Sequence, residues 1–322
     1  MSDNYQNYWG RFLFKETKTA VKQSSHETST SSFNRLKNSF EVKCDPFKFI
    51  NTFSSGTQAL QWCMTTSTFM RIDQLLIACG SYISGDNNSV LTNLGTSDMI
   101  NKYGRIRCEN LHPEAMSHTI ALPYFIDVTD TCVEKLESKC LEELHSRCLN
   151  AKLTGSPIKT LVMELILNIT GATLSDSFLE KLAELSKIHN FHFIIDEIIT
   201  AGRTGTILYT LQKPQSFIDR IMYIALGKWL GMGVVLCNPA NVDSENFGRG
   251  ETTGTNYNEA TAALELVSKN VDKAESRRKE VLESLGVKEE DSWEKGILIY
   301  CNTCFTYPAA GAKGKYLPML ES

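Results

Sequence analysis

Seven residues constrain this chain more than any others: Phe191-His192-Phe193-Ile194-Ile195-Asp196-Glu197. A near-continuous apolar run of this length suits a strand buried on both faces, as in a parallel sheet covered by helices. The run ends in a carboxylate. Open parallel sheets bind ligands at the carboxyl ends of their strands, so Asp196 is placed for a site. A structural Asp capping the next turn is the alternative.

Other segments fit the same architecture. Leu75-Leu76-Ile77-Ala78-Cys79, Leu161-Val162-Met163-Glu164-Leu165-Ile166 and Ile221-Met222-Tyr223-Ile224-Ala225 read as short buried strands. Between them lie a helical stretch at 131–150 and a second one from Ser177 to His189. The second carries Phe178, Leu179, Leu182, Leu185 and Ile188 at a helical period. Strands separated by helices predict an α/β fold with a mainly parallel, mixed sheet flanked by helices. Ala260 to Leu285 reads as a long helix, and 296–322 is short and mixed. Residues 15–40 are rich in Ser, Thr and Lys and read as an arm, either mobile or wrapped on a partner subunit, with regular structure beginning near Phe47. The expected parts are an N-terminal arm (1–46, partly flexible), a large domain (47–260) and a reduced C-terminal α+β domain (261–322).

Bulk properties exclude several function classes. The 322 residues carry a net charge of -4, with no basic excess to hold nucleic acid. No apolar stretch reaches the roughly 18–20 residues of a membrane span. The start, Met1 to Asn7, lacks the basic and apolar regions of a signal peptide. Ten scattered cysteines, mostly in apolar contexts, fit a reduced, cytoplasmic setting. Cys301-Asn302-Thr303-Cys304 is a lone pair without the second pair of ligands a structural zinc requires, so no metal site is expected.

The second informative element lies 32 residues beyond Asp196: Gly227-Lys228-Trp229-Leu230-Gly231-Met232-Gly233, directly after an apolar strand. Glycines let backbone approach a ligand closely. A Lys amine becomes nucleophilic when burial or a neighbouring cation lowers its pKa. Alone, Lys228 would read as a side chain snorkelling from a strand end. With Asp196 it fits a pyridoxal phosphate site, where the Lys forms a Schiff base and the Asp pairs with the pyridine nitrogen. An opposite charge there favours the protonated ring. A P-loop ATPase fits less well. Met222 stands where its first glycine belongs, Trp229 follows the Lys, and the Lys segment comes after the acidic strand rather than before it.

Three weaker elements suit the same ligand. Phe53-Ser54-Ser55-Gly56-Thr57-Gln58-Ala59 is a small turn leading into a helix, where free N–H groups can meet a phosphate, or where Ser is only an N-cap. Tyr82 follows the strand at 75–79 and can stack on a flat ring or simply fill the core. Glu251-Thr252-Thr253-Gly254-Thr255-Asn256 precedes a helix, as a second phosphate contact or as a cap.

Together and in this order, the segments resemble the class III (ornithine/ω-type) aminotransferases, pyridoxal phosphate enzymes of fold type I. The family's Asn-Ser-Gly-Thr/Ser-Glu-Ala turn is matched by Ser54 to Ala59, and its aromatic-His-Gly segment loosely by Tyr82 to Gly85. Its Glu-Pro is matched at Glu164-Leu165. Its Asp-Glu-Val-Gln-Thr-Gly-x-Gly-Arg-Thr-Gly is matched, one residue shorter, by Asp196 to Gly205. Its Gly-Lys-x-Leu-Gly-x-Gly is matched by Gly227 to Gly233, and its Thr-x-x-Gly-Asn by Thr252 to Asn256.

The resemblance implies that Lys228 carries the Schiff base and then shuttles the proton, while Asp196 holds the pyridine nitrogen. It places Ile198 on one ring face and Tyr82 on the other, with Glu164 beside the cofactor. Ser55, Gly56 and Thr57 bind the phosphate, as does Thr252 of the partner subunit, since the family is homodimeric with shared sites. The resemblance further implies a small amine or amino acid as substrate.

The departures concern the substrate side. The Gln that contacts the ring hydroxyl falls at Ile199, the Gln and Glu after Glu-Pro fall at Leu167 and Ile169, and no Arg follows Arg278. The chain is also shorter than the family at both ends. Transamination is the leading expectation. Another reaction of the same cofactor (decarboxylation, elimination or coupling) and a non-catalytic relative acting as a binding protein are the alternatives.

Overall fold

The computed structural model describes residues 29–68, 74–78, 119–125, 133–167, 172–242 and 257–270, and the backbone of 292–295 and 298–301. In chain order these form α1 (Ser29–Lys43), β1 (Lys48–Phe53), α2 (Gly56–Ser67), β2 (Leu75–Ala78), β3 (Thr119–Ile120), α3 (Val133–Leu153), β4 (Thr160–Met163) and α4 (Asp176–His189). There follow β5 (His192–Asp196), α5 (Gln215–Ile218), β6 (Ile221–Leu226), β7 (Gly233–Cys237) and α6 (Tyr257–Asn270). A separate antiparallel pair joins β8 (Ser292–Lys295) to β9 (Leu298–Cys301).

Seven strands make one mixed sheet in the order β1-β7-β6-β5-β4-β2-β3. Pairings from β6 through β5, β4 and β2 to β3 are parallel, whereas β7 runs antiparallel to both β6 and β1. The carboxyl ends of β1, β4, β5 and β6 therefore lie on one edge, together with the amino end of β7. The registers align that edge: Phe53 pairs with Gly233, Leu226 with Val234, Asp196 with Ala225, and Met163 with Ile195.

Alternation along the strands assigns each side chain to a face. Phe193 and Ile195, with Leu161, Met163, Ile224 and Leu226, join the larger apolar layer that also holds side chains of α1, α3, α4 and α6. Ile194, with Val162, Ala225 and Val235, joins a smaller layer with Ala59, Leu60, Cys63 and Met64 of α2. Each buried Ile or Phe stabilises the layers by about 1.5–3 kcal/mol. The same parity puts Glu164 and Asp196 on the α2 side of the sheet.

The core strands and helices agree with the sequence reading to within a few residues, and two differences have clear causes. Residues 29–43, expected as part of an arm, form a helix, because Phe33, Leu36 and Phe40 recur at helical spacing beneath the Ser/Thr-rich pattern. Leu36 and Phe40 are fully buried, and Phe33 packs edge-on to Phe49 and Tyr257. The strand expected to run to Ile166 ends at Met163. Beyond it the buried Tyr124 hydroxyl donates to the Glu164 carbonyl at 2.6 Å, and Leu167 N–H donates to the Ala172 carbonyl at 2.9 Å, so the chain turns. Tyr82, Ile169, Thr252 and the far part of the helix expected to reach Leu285 lie outside the described residues.

Candidate active site

Glycine chemistry assembles the pocket. The turn Ser54-Ser55 leads from β1 into α2, and the Ser55 hydroxyl accepts from the Gln58 N–H at 3.3 Å as the N-cap. Capping this way leaves the first N–H groups of a 12-residue helix directed outward, a natural anion site. The turn lies directly on Gly233, where a Cβ would stand 2.1 Å from the Ser55 carbonyl oxygen. A Cβ on Gly227 would lie 2.9 Å from the Gly56 Cα, and one on Gly56 would lie 2.8 Å from Ile198 Cγ2. Three chain segments thus meet around Ile198 at separations only glycine allows.

Asp196 ends β5 at this junction, and its Oδ1 accepts the Ile198 N–H at 3.0 Å. Its carboxyl is pushed up to about 7, chiefly by burial, with Glu197 adding to the rise, while the Ile198 N–H and the Lys228 charge hold it back. Glu197, the residue after β5, points to the other side of the sheet and is wholly buried. Its carboxylate accepts from the backbone N–H groups of Tyr209 at 3.0 Å and Thr210 at 2.7 Å, and from the Thr210 hydroxyl. Burial raises its pKa, and those donors temper the rise.

Lys228 follows β6 with φ of 46°, in the left-handed region. That conformation costs a non-glycine residue roughly 1–2 kcal/mol, and the tight turn closed by Gly231 N–H on the Lys228 carbonyl at 2.9 Å maintains it. The sequence reading took burial as one means of activating this amine. In the single chain Lys228 is exposed, so this chain's own burial does not desolvate it.

These residues line one cavity of about 340 Å³. Ser55, Gly56, Thr57, Glu164, Asp196, Ile198 and Lys228, named from the sequence, all border it. Ile199 borders it too, as an apolar wall, whereas Leu167 is buried in the core. Sequence reasoning missed Leu60 and Thr200, which also line the wall, and the anchoring of Glu197. Strand parity was the available signal for Glu197, since a carboxylate beside a site-facing Asp must point to the other side of the sheet.

The donor set suits a phosphorylated pyridine aldehyde. Helix N–H groups and hydroxyls could meet a phosphate, Ile198 offers an apolar surface for a ring, and Lys228 brings an amine to the same cavity. A cation beside Asp196, such as a protonated ring nitrogen, would lower its raised carboxyl pKa.

The family model described as Aminotransferase class-III matches residues 21–276. The chain belongs to the class III aminotransferase family. It is accordingly a pyridoxal 5'-phosphate-dependent transferase, and transamination is the chemistry of that family. Among solved structures, it is similar to lysine aminotransferase from M. tuberculosis in the internal aldimine form, at 17% identity and a TM-score of 0.60, covering 90% of this chain and 72% of that one. It is also similar to an (S)-enantioselective omega-transaminase from Thermomicrobium roseum, at 16% identity and a TM-score of 0.59, covering 90% and 69%. A phospholyase from Arthrobacter in complex with phosphoethanolamine shows 14% identity and a TM-score of 0.64, covering 88% and 70%. At such identities the likeness speaks for the fold, and the family assignment rests on the matched sequence. A comparison with curated proteins finds no match.

Proposed function

We propose that this chain transfers an amino group from a small amine or amino acid to a carbonyl acceptor, with the residues around the cavity dividing the work. The observation that carries the reading is the meeting of the Ser55-Gly56-Thr57 turn, Asp196 and Lys228 in one cavity. When bound, the cofactor supplies the electron sink that makes a substrate carbon–hydrogen bond acidic. The α2 N–H groups and the Ser55 and Thr57 hydroxyls hold the phosphate. The Asp196 carboxylate keeps the ring nitrogen protonated. Ile198 would pack on one face of the ring, and Tyr82 would take the other. Glu164 borders the ring from the end of β4. Lys228 Nζ would be the covalent attachment point, and as a free amine it would take the proton from the substrate α-carbon and deliver it to the cofactor's aldehyde carbon.

The reading includes a homodimer in the cytoplasm, with Thr252 of the partner subunit completing each phosphate site. Five buried, unbridged cysteines among the described residues suit a reducing compartment. No helix among the described residues is long and apolar enough to cross a membrane.

Two experiments test this. Purified protein loaded with cofactor should show a visible absorption band that Lys228→Ala lacks, and an active amine donor should yield a carbonyl product. Release of carbon dioxide or of a leaving group without that product would assign a different reaction. Co-expressing Lys228→Ala with Thr252→Ala chains should restore activity in hybrid dimers, since one of the two sites then has both residues. Two inactive variants that stay inactive when mixed would remove the shared site.

A further inference from the structure

Glu197 does not border the cavity, yet it is hydrogen-bonded to the segment that does. The loop from Ile198 to Leu208 leaves β5 beside Asp196, and its first three residues, Ile198, Ile199 and Thr200, line the cavity. The loop is pinned from behind by one wholly buried carboxylate. Glu197 accepts from Tyr209 N–H at 3.0 Å, Thr210 N–H at 2.7 Å, the Thr210 hydroxyl, and the Thr200 hydroxyl at 3.5 Å. The far end of the loop is thereby tied to its beginning. Two backbone bonds tighten the same closure: Ala201 N–H to the Glu197 carbonyl at 3.1 Å, and Glu197 N–H to the Ala225 carbonyl of β6 at 3.0 Å.

Ile198 has little freedom to move. Added Cβ atoms on Gly56 and Gly227 would approach its Cγ2 to 2.8 and 3.1 Å. A small displacement of the loop therefore pushes on the phosphate turn and on the residue before Lys228 together. We propose that Glu197 is a positioning residue for the cofactor site: its carboxylate gathers the loop donors and so holds Ile198 at the height the ring requires. The proposal rests on the reading that this cavity holds the cofactor. It adds that the tandem Asp196-Glu197 pair divides its labour by strand parity, with one carboxylate to the ring and the other to the loop beneath it.

Glu197→Gln keeps the volume but gives the backbone donors an amide, half of which is itself a donor. In the cofactor-free protein, trypsin cleavage after Arg203, which is buried within the loop, should accelerate about tenfold as the tie is lost. Cleavage at sites outside the loop should keep its rate. The cofactor dissociation constant, read by quenching of tryptophan fluorescence, should rise by a similar factor. The bound cofactor's absorption maximum should shift while Lys228→Ala still abolishes the band, which separates failure of this inference from failure of the cofactor reading. Should Glu197→Gln not fold, Thr210→Val removes the hydroxyl donor alone and should move the same readouts in the same direction, and Thr210→Ser should restore them. Unchanged Arg203 cleavage and unchanged cofactor affinity in these variants, even with a lowered melting temperature, would reduce Glu197 to a purely structural role.

Discussion

Gly233 and Ser55 are in closer contact than any side-chain-bearing residue would allow: a methyl group at Gly233 would lie 2.1 Å from the Ser55 carbonyl oxygen and 2.7 Å from its carbonyl carbon. What it would meet is backbone, which cannot rotate aside. Gly233 opens β7 opposite Phe53, so the first residue of one strand supports the turn at the end of another. Gly233→Ala should destabilise the protein by about 1–3 kcal/mol and weaken cofactor binding, because relief requires the Ser54-Ser55 turn to move. Gly155→Ala is the control. Nothing lies within 4 Å of a Cβ there, and only its φ of 79° is strained, so its cofactor affinity should stay at the wild-type value. Thermal melts with and without cofactor measure both effects.

Lys228 is exposed in the single chain and sits in a left-handed turn. Its exposure means that little buried surface is lost with the side chain, so Lys228→Ala should fold with a melting temperature within a few degrees of wild type. The turnover rate should nevertheless fall by about 10²–10⁴-fold or more, since on the proposed reading both the attachment point and the proton carrier are lost. Rate measurement beside a cofactor-free melt distinguishes this from misfolding.

Asp196 makes cofactor-free stability depend on pH. Its folded pKa of about 7 lies above the usual value of 3.8, so between those limits the folded state holds a proton that the unfolded state has released. Stability from this group is therefore greatest at the acid end, declines as pH rises from about 4 to 7, and is flat above. Asp196→Asn carries no such cost. Its cofactor-free form should gain on wild type across that window and keep the advantage at pH 8. Bound cofactor should reverse the order, because on the proposed reading the ionised carboxylate then has a cation beside it. Melting temperatures at several pH values, with and without cofactor, read this directly.

The centre of the fold was legible because buried parallel strands are written as apolar runs. Phe191 to Asp196 and Ile221 to Ala225 needed no tertiary information. The Asp and Lys were legible as a pair because each follows such a run. Helix α1 was not, since its Ser/Thr-rich composition obscured three apolar residues whose burial depends on Phe49 and Tyr257, distant in sequence. The support of Ser55 by Gly233 was equally hidden. The sequence shows a glycine, but only the antiparallel pairing of β1 with β7 shows what that glycine admits. The end of β4 depended on Tyr124, whose hydroxyl takes the Glu164 carbonyl out of the ladder.

Ile199 gives a test of the substituted wall. It is 8% exposed, lines the cavity, and occupies the position where the resembled family carries a Gln against the ring hydroxyl. Replacing it with Gln has opposite effects in the two states. Without cofactor, an amide is placed on an apolar wall with incomplete partners, which costs about 1–3 kcal/mol of stability. With cofactor, the amide gains a hydrogen bond, a net gain of about 0.5–1.5 kcal/mol over an unbonded wall, or roughly 2–12-fold in affinity. Ile199→Gln should therefore lower the cofactor-free melting temperature while widening the gap between the free and loaded forms. Equal losses in both forms would mean that Ile199 does not face the ring, and that the wall it makes belongs to the substrate side of the cavity.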